Sequence, residues 1–443
     1  MFPRSGEEFT PWKNAGKVIL SVLIVGMLIR IILMPFTSSP FDVAAGWVAV
    51  IDGFYSGDSV YGSGWLFYPP IWGYILSLIG VFADLIGMGS FGEVFTNIYD
   101  GKVLTIGHAM LTNPTFNVLV KIPAIIFDVL AGWTAYEIVK RLTHDQKKAT
   151  IGFALWFLAP ITIMSSAMLC MFDSIMMFLM MLSLLTFMDK RYFSTGCLMS
   201  LAILTKVFAI LVVPVMIAYI ISKRDIEIRE RTKNILMLAV GAALMFLIAY
   251  LPALLSGEFM DSLWFFTGRE DAYSGLIGPS FSNLFFYAPF YIVAYIAMFI
   301  YMALRKEDQE KTFLWLYIIS SALIFSMPLM ASTPTYGITF LPSILILYAL
   351  KGKVAMIPWA LLIIFPIQGL CHYWETMFYP LAAFTGLWDI SNVTETIPFS
   401  LLYTISLWTM FLPGFVMILI VLDHMLKEKG VNVWNSIRRR SEQ

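Results

Sequence analysis

Seven clusters of basic residues cut this chain into apolar intervals, and their positions constrain the fold more than any other feature. They are Arg4, Lys13 and Lys17; Lys140, Arg141, Lys147 and Lys148; Lys190 and Arg191; Lys223, Arg224, Arg229, Arg231 and Lys233; Arg305, Lys306 and Lys311; Lys351 and Lys353; and Lys427, Lys429, Arg438, Arg439 and Arg440. Together they hold 24 of the 29 Lys and Arg residues. Short loops rich in Lys and Arg stay on the cytoplasmic side of a membrane protein. If all seven clusters do so, each interval contains an even number of membrane crossings, and two per interval give twelve with both termini inside.

Composition supports the premise. With 59% hydrophobic residues, 13% charged residues and a mean hydropathy of +0.80, the chain lies far from the soluble range of about 25% charged. We expect an all-α polytopic membrane protein forming one domain over residues 1–443, with spans at 17–35, 117–139, 150–167, 172–188, 193–205, 207–221, 234–254, 283–304, 312–330, 335–350, 354–371 and 399–422. The first apolar run, Val18 to Met34, is longer than the ~7–15 residues of a signal core and reads as an uncleaved span. External loops are expected at 36–116, 256–282 and 372–398.

Two intervals need a decision. The run Phe193 to Ile221 is long enough for one tilted helix, but a single crossing would invert every later cluster. It therefore reads as two short helices meeting near Lys206, a break tolerated where backbone lines a protein cavity. Pro69 to Gly89 is apolar enough to span, yet crossing there would put Lys140 to Lys148 outside. It reads as a juxtamembrane or re-entrant helix interrupted by Asp84.

Zero net charge argues against a nucleic-acid partner. Cys170, Cys197 and Cys371 show no CxxC spacing, and the four histidines do not pair at metal-ligand spacing. No metal and no cofactor are expected. Chemistry concentrates instead in Pro35 to Tyr74, too polar and too rich in Gly and Pro to cross as a helix. It carries Trp47, Tyr61, Trp65, Tyr68 and Trp72 beside Asp42, Asp52 and Asp58. Aromatic faces suit the C–H face of a sugar, and carboxylates suit its hydroxyls or act as a general base.

Five cations fall outside the clusters: Arg30, Lys102, Lys121, Lys206 and Arg269. A lysine in an apolar interior is costly unless it meets water, a carboxylate or an anion, so Lys206 reads either as a phosphate ligand or as a snorkelling side chain. Arg269 and Arg30 are further candidates for gripping phosphate. Asp42 reads as a general base or as a helix cap in FDVAAGW. Asp173, in LCMFDSIMMF, reads as a sugar contact, a cap or an ion-pair partner. Lys121 and Asp128, seven residues apart, share a helix face, with Asp128 in a structural ion pair and Lys121 snorkelling at the interface. The Met and Phe stripe at Met176 to Met181 reads as lipid-facing or as core packing.

The run of motifs, an Asp just after the first span, then GFYSGDSVYG and FYPPIWGY, then VKIPAIIFDVLAGW, FLAPITIMSSAMLCMFDSI and LTKVFAILVVP, resembles the GT-C superfamily of membrane glycosyltransferases. Within it, the sequence is similar to enzymes that use polyprenyl-phosphate sugars, including lipid-linked oligosaccharide glucosyltransferases and archaeal mannosyltransferases. The resemblance implies about twelve helices with two juxtamembrane helices in the first external loop and an extracytoplasmic active site in a cell membrane or the ER membrane. It implies transfer of mannose or glucose, with inversion, from a polyprenyl (dolichyl) phosphate to a lipid-linked or other membrane glycan acceptor. Asp42 falls on the family's catalytic aspartate, Lys206 on its donor-phosphate lysine, and Asp173 among its polar site residues. Asp52, Trp47, Tyr68 and Trp65 are the remaining expected sugar or acceptor contacts. The family often places a cation before a late span, where this chain reads STPTYGITFLP with Tyr336. The rival reading is a lipid or solute transporter, which broken helices and intramembrane charges also suit. A transporter of that kind carries two related halves, and none align here.

Overall fold

The computed structural model describes residues 10–57, 59–62, 66, 68–88, 98–99, 102–103, 114–260, 282–305, 308–323, 334–386 and 399–428. Among these, regular structure is helical apart from one antiparallel pair of two-residue strands, β1 (Ile98–Tyr99) and β2 (Lys102–Val103).

α1 (Ala15–Leu33) is apolar along its length and opens Leu20, Ile24, Leu28 and Ile32 outward, as a lipid-facing helix does. Beyond it, the first loop folds into helices. A π-helical turn over Pro40–Trp47 runs into α2 (Val48–Tyr55), and α3 (Pro70–Leu85) packs back on α2. Pro70 opens α3 at a position whose missing N–H costs nothing. Asp84 does not interrupt α3, as its sequence suggests. It lies in the last turn, and Gly87 at φ +77 ends the helix with its N–H on the Asp84 carbonyl. α3 buries Trp72, Leu76, Ile79 and Ala83 and exposes Leu78, Val81, Phe82 and Leu85, so it is apolar on both faces.

α4 (Pro114–Thr143) is the central helix, 30 residues long and packed on α5 (Gln146–Phe157), α7 (Asp173–Met188) and α13 (Leu341–Lys351). Between α5 and α7 lie α6 (Pro160–Ile163) and a π-helical turn at Met164–Met168. α7 is the buried centre of the bundle, with Met176, Met177, Met180 and Met181 all enclosed by protein. The methionine stripe is therefore core packing.

The chain breaks at Lys206. α8 (Tyr192–Thr205) ends there, Lys206 is extended at φ −158 and ψ 130, a 3-10 helix follows at Val207–Val212, and α9 (Val213–Ser222) completes the pair. α8 lies against α10 (Ile228–Ser256) with almost nothing between the backbones. A Cβ added to Gly196 would collide with the Leu238 carbonyl oxygen, and one added to Gly241 with that of Phe193.

The second half continues through α11 (Ser282–Leu304), α12 (Gln309–Ala322), a 3-10 helix at Pro334–Phe340, α13, α14 (Met356–Leu361), α15 (Ile364–Met377), α16 (Tyr379–Thr385), α17 (Phe399–Thr409) and α18 (Leu412–Glu428). Among the described residues, five stretches are long and apolar enough to cross a membrane: 15–33, 114–143, 228–256, 334–373 and 400–428. The pair Gln146–Phe157 and Pro160–Met168, bent by 44°, makes a sixth. Among the described residues, full-length helices thus number fewer than the twelve crossings expected. α7, α8 and α9 have 16, 14 and 10 residues, short of the ~20 that a straight crossing needs. The expected spans 335–350 and 354–371 both lie within the 40-residue apolar stretch 334–373, which breaks between them at Gly352, φ +62 and ψ −129.

Candidate active site

Asp42 stands on a turn that is fastened from several directions. Two residues of α4, one helical turn apart, reach the exit of α1. Asn117 donates to the Pro35 carbonyl at 3.3 Å, and the Lys121 ammonium donates to the Met34 carbonyl at 2.8 Å and also to the Thr37 carbonyl. Thr37 in turn donates through Oγ1 to the carbonyls of Leu33 at 2.7 Å and Ala167 at 3.3 Å. From the far end of the chain, the Met377 carbonyl accepts the Ser38 N–H at 2.9 Å, and the Leu381 N–H donates to Phe36 at 3.2 Å. Lys121 does not snorkel: it is fully buried, and carbonyl and hydroxyl oxygens take its charge.

The next residues start the π-helical turn. Ser39 caps it, its Oγ accepting the Asp42 N–H at 3.4 Å and donating to Asp42 Oδ2 at 2.8 Å. The cap is thus Ser39, with Asp42 in the first turn and its carboxylate oriented by the serine. Asp42 itself is half-buried.

Five residues on, Trp47 joins an aromatic group centred on Phe172. Trp72 stacks on Phe172 at 4.8 Å with the planes 15° apart, Tyr68 meets its edge at 4.8 Å, and Trp47 meets it at 6.4 Å and Trp72 at 5.1 Å. Trp47, Tyr68 and Trp72 of the first loop therefore pack on the residue that precedes Asp173.

Asp173 is the first residue of α7, where a carboxylate favours the helix dipole. Lys206, at the end of α8, also meets a helix end of opposite sign. The two form a buried ion pair, Nζ to Oδ1 at 2.6 Å, with relative side-chain exposures of 3% and 0%. Around the ammonium stand the rings of Tyr336 at 4.2 Å, Phe172 at 5.4 Å and Tyr68 at 5.7 Å. Asp173 Oδ2 is buried without a hydrogen-bond partner. Tyr336 comes from STPTYGITFLP, the segment that lacks a cation. Its contribution is a ring face turned to a cation from elsewhere, a role that no charge pattern announces.

Arg30 is placed otherwise. Its guanidinium holds Asp128 Oδ2 through Nε at 3.1 Å and Nη2 at 2.8 Å, donates from Nη1 to the carbonyls of Gly26 at 3.1 Å and Phe157 at 3.0 Å, and lies 4.2 Å from the Phe157 ring centroid. Both side chains are fully buried. Ser166 and Ser174 also donate to Asp128, so one carboxylate ties α1, α4, the π-helical turn and α7 together. Asp128 is in an ion pair, as its sequence context suggests, but with Arg30 and not through the face it shares with Lys121. Ser174 follows Asp173, so this hub also fixes the start of α7. Asp52 opens to the surface on α2. Trp65 and Arg269 lie outside the described residues.

The site thus brings Asp173, Lys206, Tyr68 and Tyr336 together and connects Trp47 to them through Phe172. No curated protein matches the chain. Residues 103–255, which include Lys121, Asp128, Asp173 and Lys206, match the dolichyl-phosphate-mannose-protein mannosyltransferase family, and this match supports a GT-C membrane glycosyltransferase.

Proposed function

We propose that this chain transfers mannose from a polyprenyl phosphate to a membrane-held glycan or protein acceptor on the extracytoplasmic side, with inversion at the anomeric carbon. The observation that carries the reading is the buried Lys206–Asp173 pair at a helix break, set among aromatic rings from three parts of the chain. An ammonium with one carboxylate partner keeps further N–H donors for a phosphate, and the same pair lies in the segment matched by a family named for dolichyl-phosphate mannose.

In this mechanism the Asp42 carboxylate takes the proton of an acceptor hydroxyl as the hydroxyl oxygen attacks the anomeric carbon. The bond from that carbon to the phosphate oxygen breaks, and the phosphate leaves with the electron pair. Lys206 stabilises the departing anion, with Arg269 assisting. Asp173, through Oδ2, and Tyr68 contact sugar hydroxyls or ring faces, with Asp52, Trp47 and Trp65 at the acceptor side. Arg30 we assign to the Asp128 hub, since its donors already serve Asp128 and two carbonyls. The topology we propose is a single domain over 1–443 with twelve crossings, some by half-depth helices, and both termini in the cytoplasm.

The test is transfer of labelled mannose and glucose from polyprenyl phosphates to membrane lipid and protein acceptors by the purified chain. Transfer from mannose donors supports the reading. Folded protein that transfers neither sugar from either donor rules it out.

A further inference from the structure

Among the described residues whose buried polar side-chain atoms have no hydrogen-bond partner, three that play no part in the mechanism above have chain neighbours that meet. Gln368 on α15 leaves both Oε1 and Nε2 unpaired, and Thr335 Oγ1 and Ser165 Oγ are likewise unpaired. They come from distant parts of the sequence, yet their chain neighbours meet. A Cβ added to Gly369 would lie 2.6 Å from Met164 Sδ and 3.2 Å from Pro334 Cγ. Ser165, Thr335 and Gln368 thus each adjoin one member of a single packed contact. The contact lies beside the candidate site, because Thr335 precedes Tyr336, whose ring stands 4.2 Å from the Lys206 ammonium.

Leaving a buried carboxamide and two hydroxyls without partners is unfavourable, and protein interiors almost always satisfy such groups. What would satisfy these is readable from their chemistry. The carboxamide offers two donors and an acceptor, and each hydroxyl offers both roles. No member of the set is charged, so a phosphate is poorly matched, and an acyl chain would leave every group unpaired. A cluster of ligand hydroxyls matches all three.

We propose that Gln368, Thr335 and Ser165 form a subsite for hydroxyls of the transferred hexose, next to the phosphate end marked by Lys206. The inference rests on the donor reading above and deepens it by naming residues that select the sugar.

The experiment measures binding of polyprenyl phosphate, polyprenyl-phosphate mannose and a series of deoxymannose donors to the full-length protein, its Gln368→Leu variant and its Thr335→Val variant. We expect Gln368→Leu to leave polyprenyl-phosphate binding unchanged and to weaken binding of the mannosylated donor roughly 10- to 100-fold. It should also lose the discrimination that the parent shows against one deoxy sugar. Thr335→Val, close to isosteric, should act in the same direction with a smaller effect, and it carries the test if Gln368→Leu does not fold. Variants that keep the parent's preference for mannosylated donor and its full deoxy-sugar discrimination overturn the proposal and leave the three groups holding ordered water only. Failure of the parent protein to bind polyprenyl phosphate at all would instead overturn the donor reading itself.

Discussion

Lys206 and Asp173 stand 33 residues apart in sequence and 2.6 Å apart in space, and neither side chain reaches solvent to any extent. The pair joins the end of α8 to the start of α7, so it is at once a structural tie and the charged centre of the candidate site. These two roles are separable by experiment.

Lys206→Met leaves Asp173 as an uncompensated buried charge, which costs about 3–5 kcal/mol. The double variant Lys206→Met, Asp173→Leu should recover much of that loss, because it removes both charges. Thermal denaturation of the single and double variants in detergent checks the structural role. Donor binding, absent in both, checks the functional one.

Asp42→Asn keeps the shape of the side chain and its place beside Ser39. Turnover should fall roughly 10²- to 10⁴-fold, as removal of a general base does. Donor binding and melting temperature should stay near those of the parent. Near-normal turnover in this variant would exclude Asp42 as the base.

Arg30→Leu should lower stability by about 3–5 kcal/mol by stranding Asp128. If the guanidinium serves only the hub, protein that does fold should bind donor with unchanged affinity. A selective loss of donor binding in stable Arg30→Leu protein would return Arg30 to the phosphate site.

Gly196→Ala and Gly241→Ala each place a methyl group against a carbonyl oxygen of the facing helix. Rigid backbone has no side chain to swing aside, so each should destabilise by an amount in the range of about 1–3 kcal/mol seen for overpacking. Gly16→Ala, with open space around it, serves as the control in the same melting assay.

Much of this arrangement was legible in the sequence because its signals are local. The break at Lys206 follows from a cation and a charge-parity conflict inside one apolar run, and the structure breaks the helix at that residue. The helix at Pro70–Leu85 was legible from its apolar run, whereas helices before it in the first loop were implied only by the family resemblance. Partner identity was not legible. Arg30 and Asp128 are 98 residues apart, and nothing in either segment selects the other. Tyr336 is uncharged, so nothing in its sequence marks the ring that faces the Lys206 ammonium. Gln368, inside IFPIQGLCHYW, reads as one more polar residue in an apolar run until its burial without partners is seen.

The close approach of α8 and α10 has a mechanical consequence. Two helices in backbone contact cannot slide or roll past one another without collision, so α8 acts as a fixed post and carries Lys206 at its tip. In the proposed mechanism, Lys206 thus meets the donor phosphate from a support that does not shift. The rings of Tyr68 and of Tyr336, the latter on the 3-10 turn, stand over the ammonium carried at its tip.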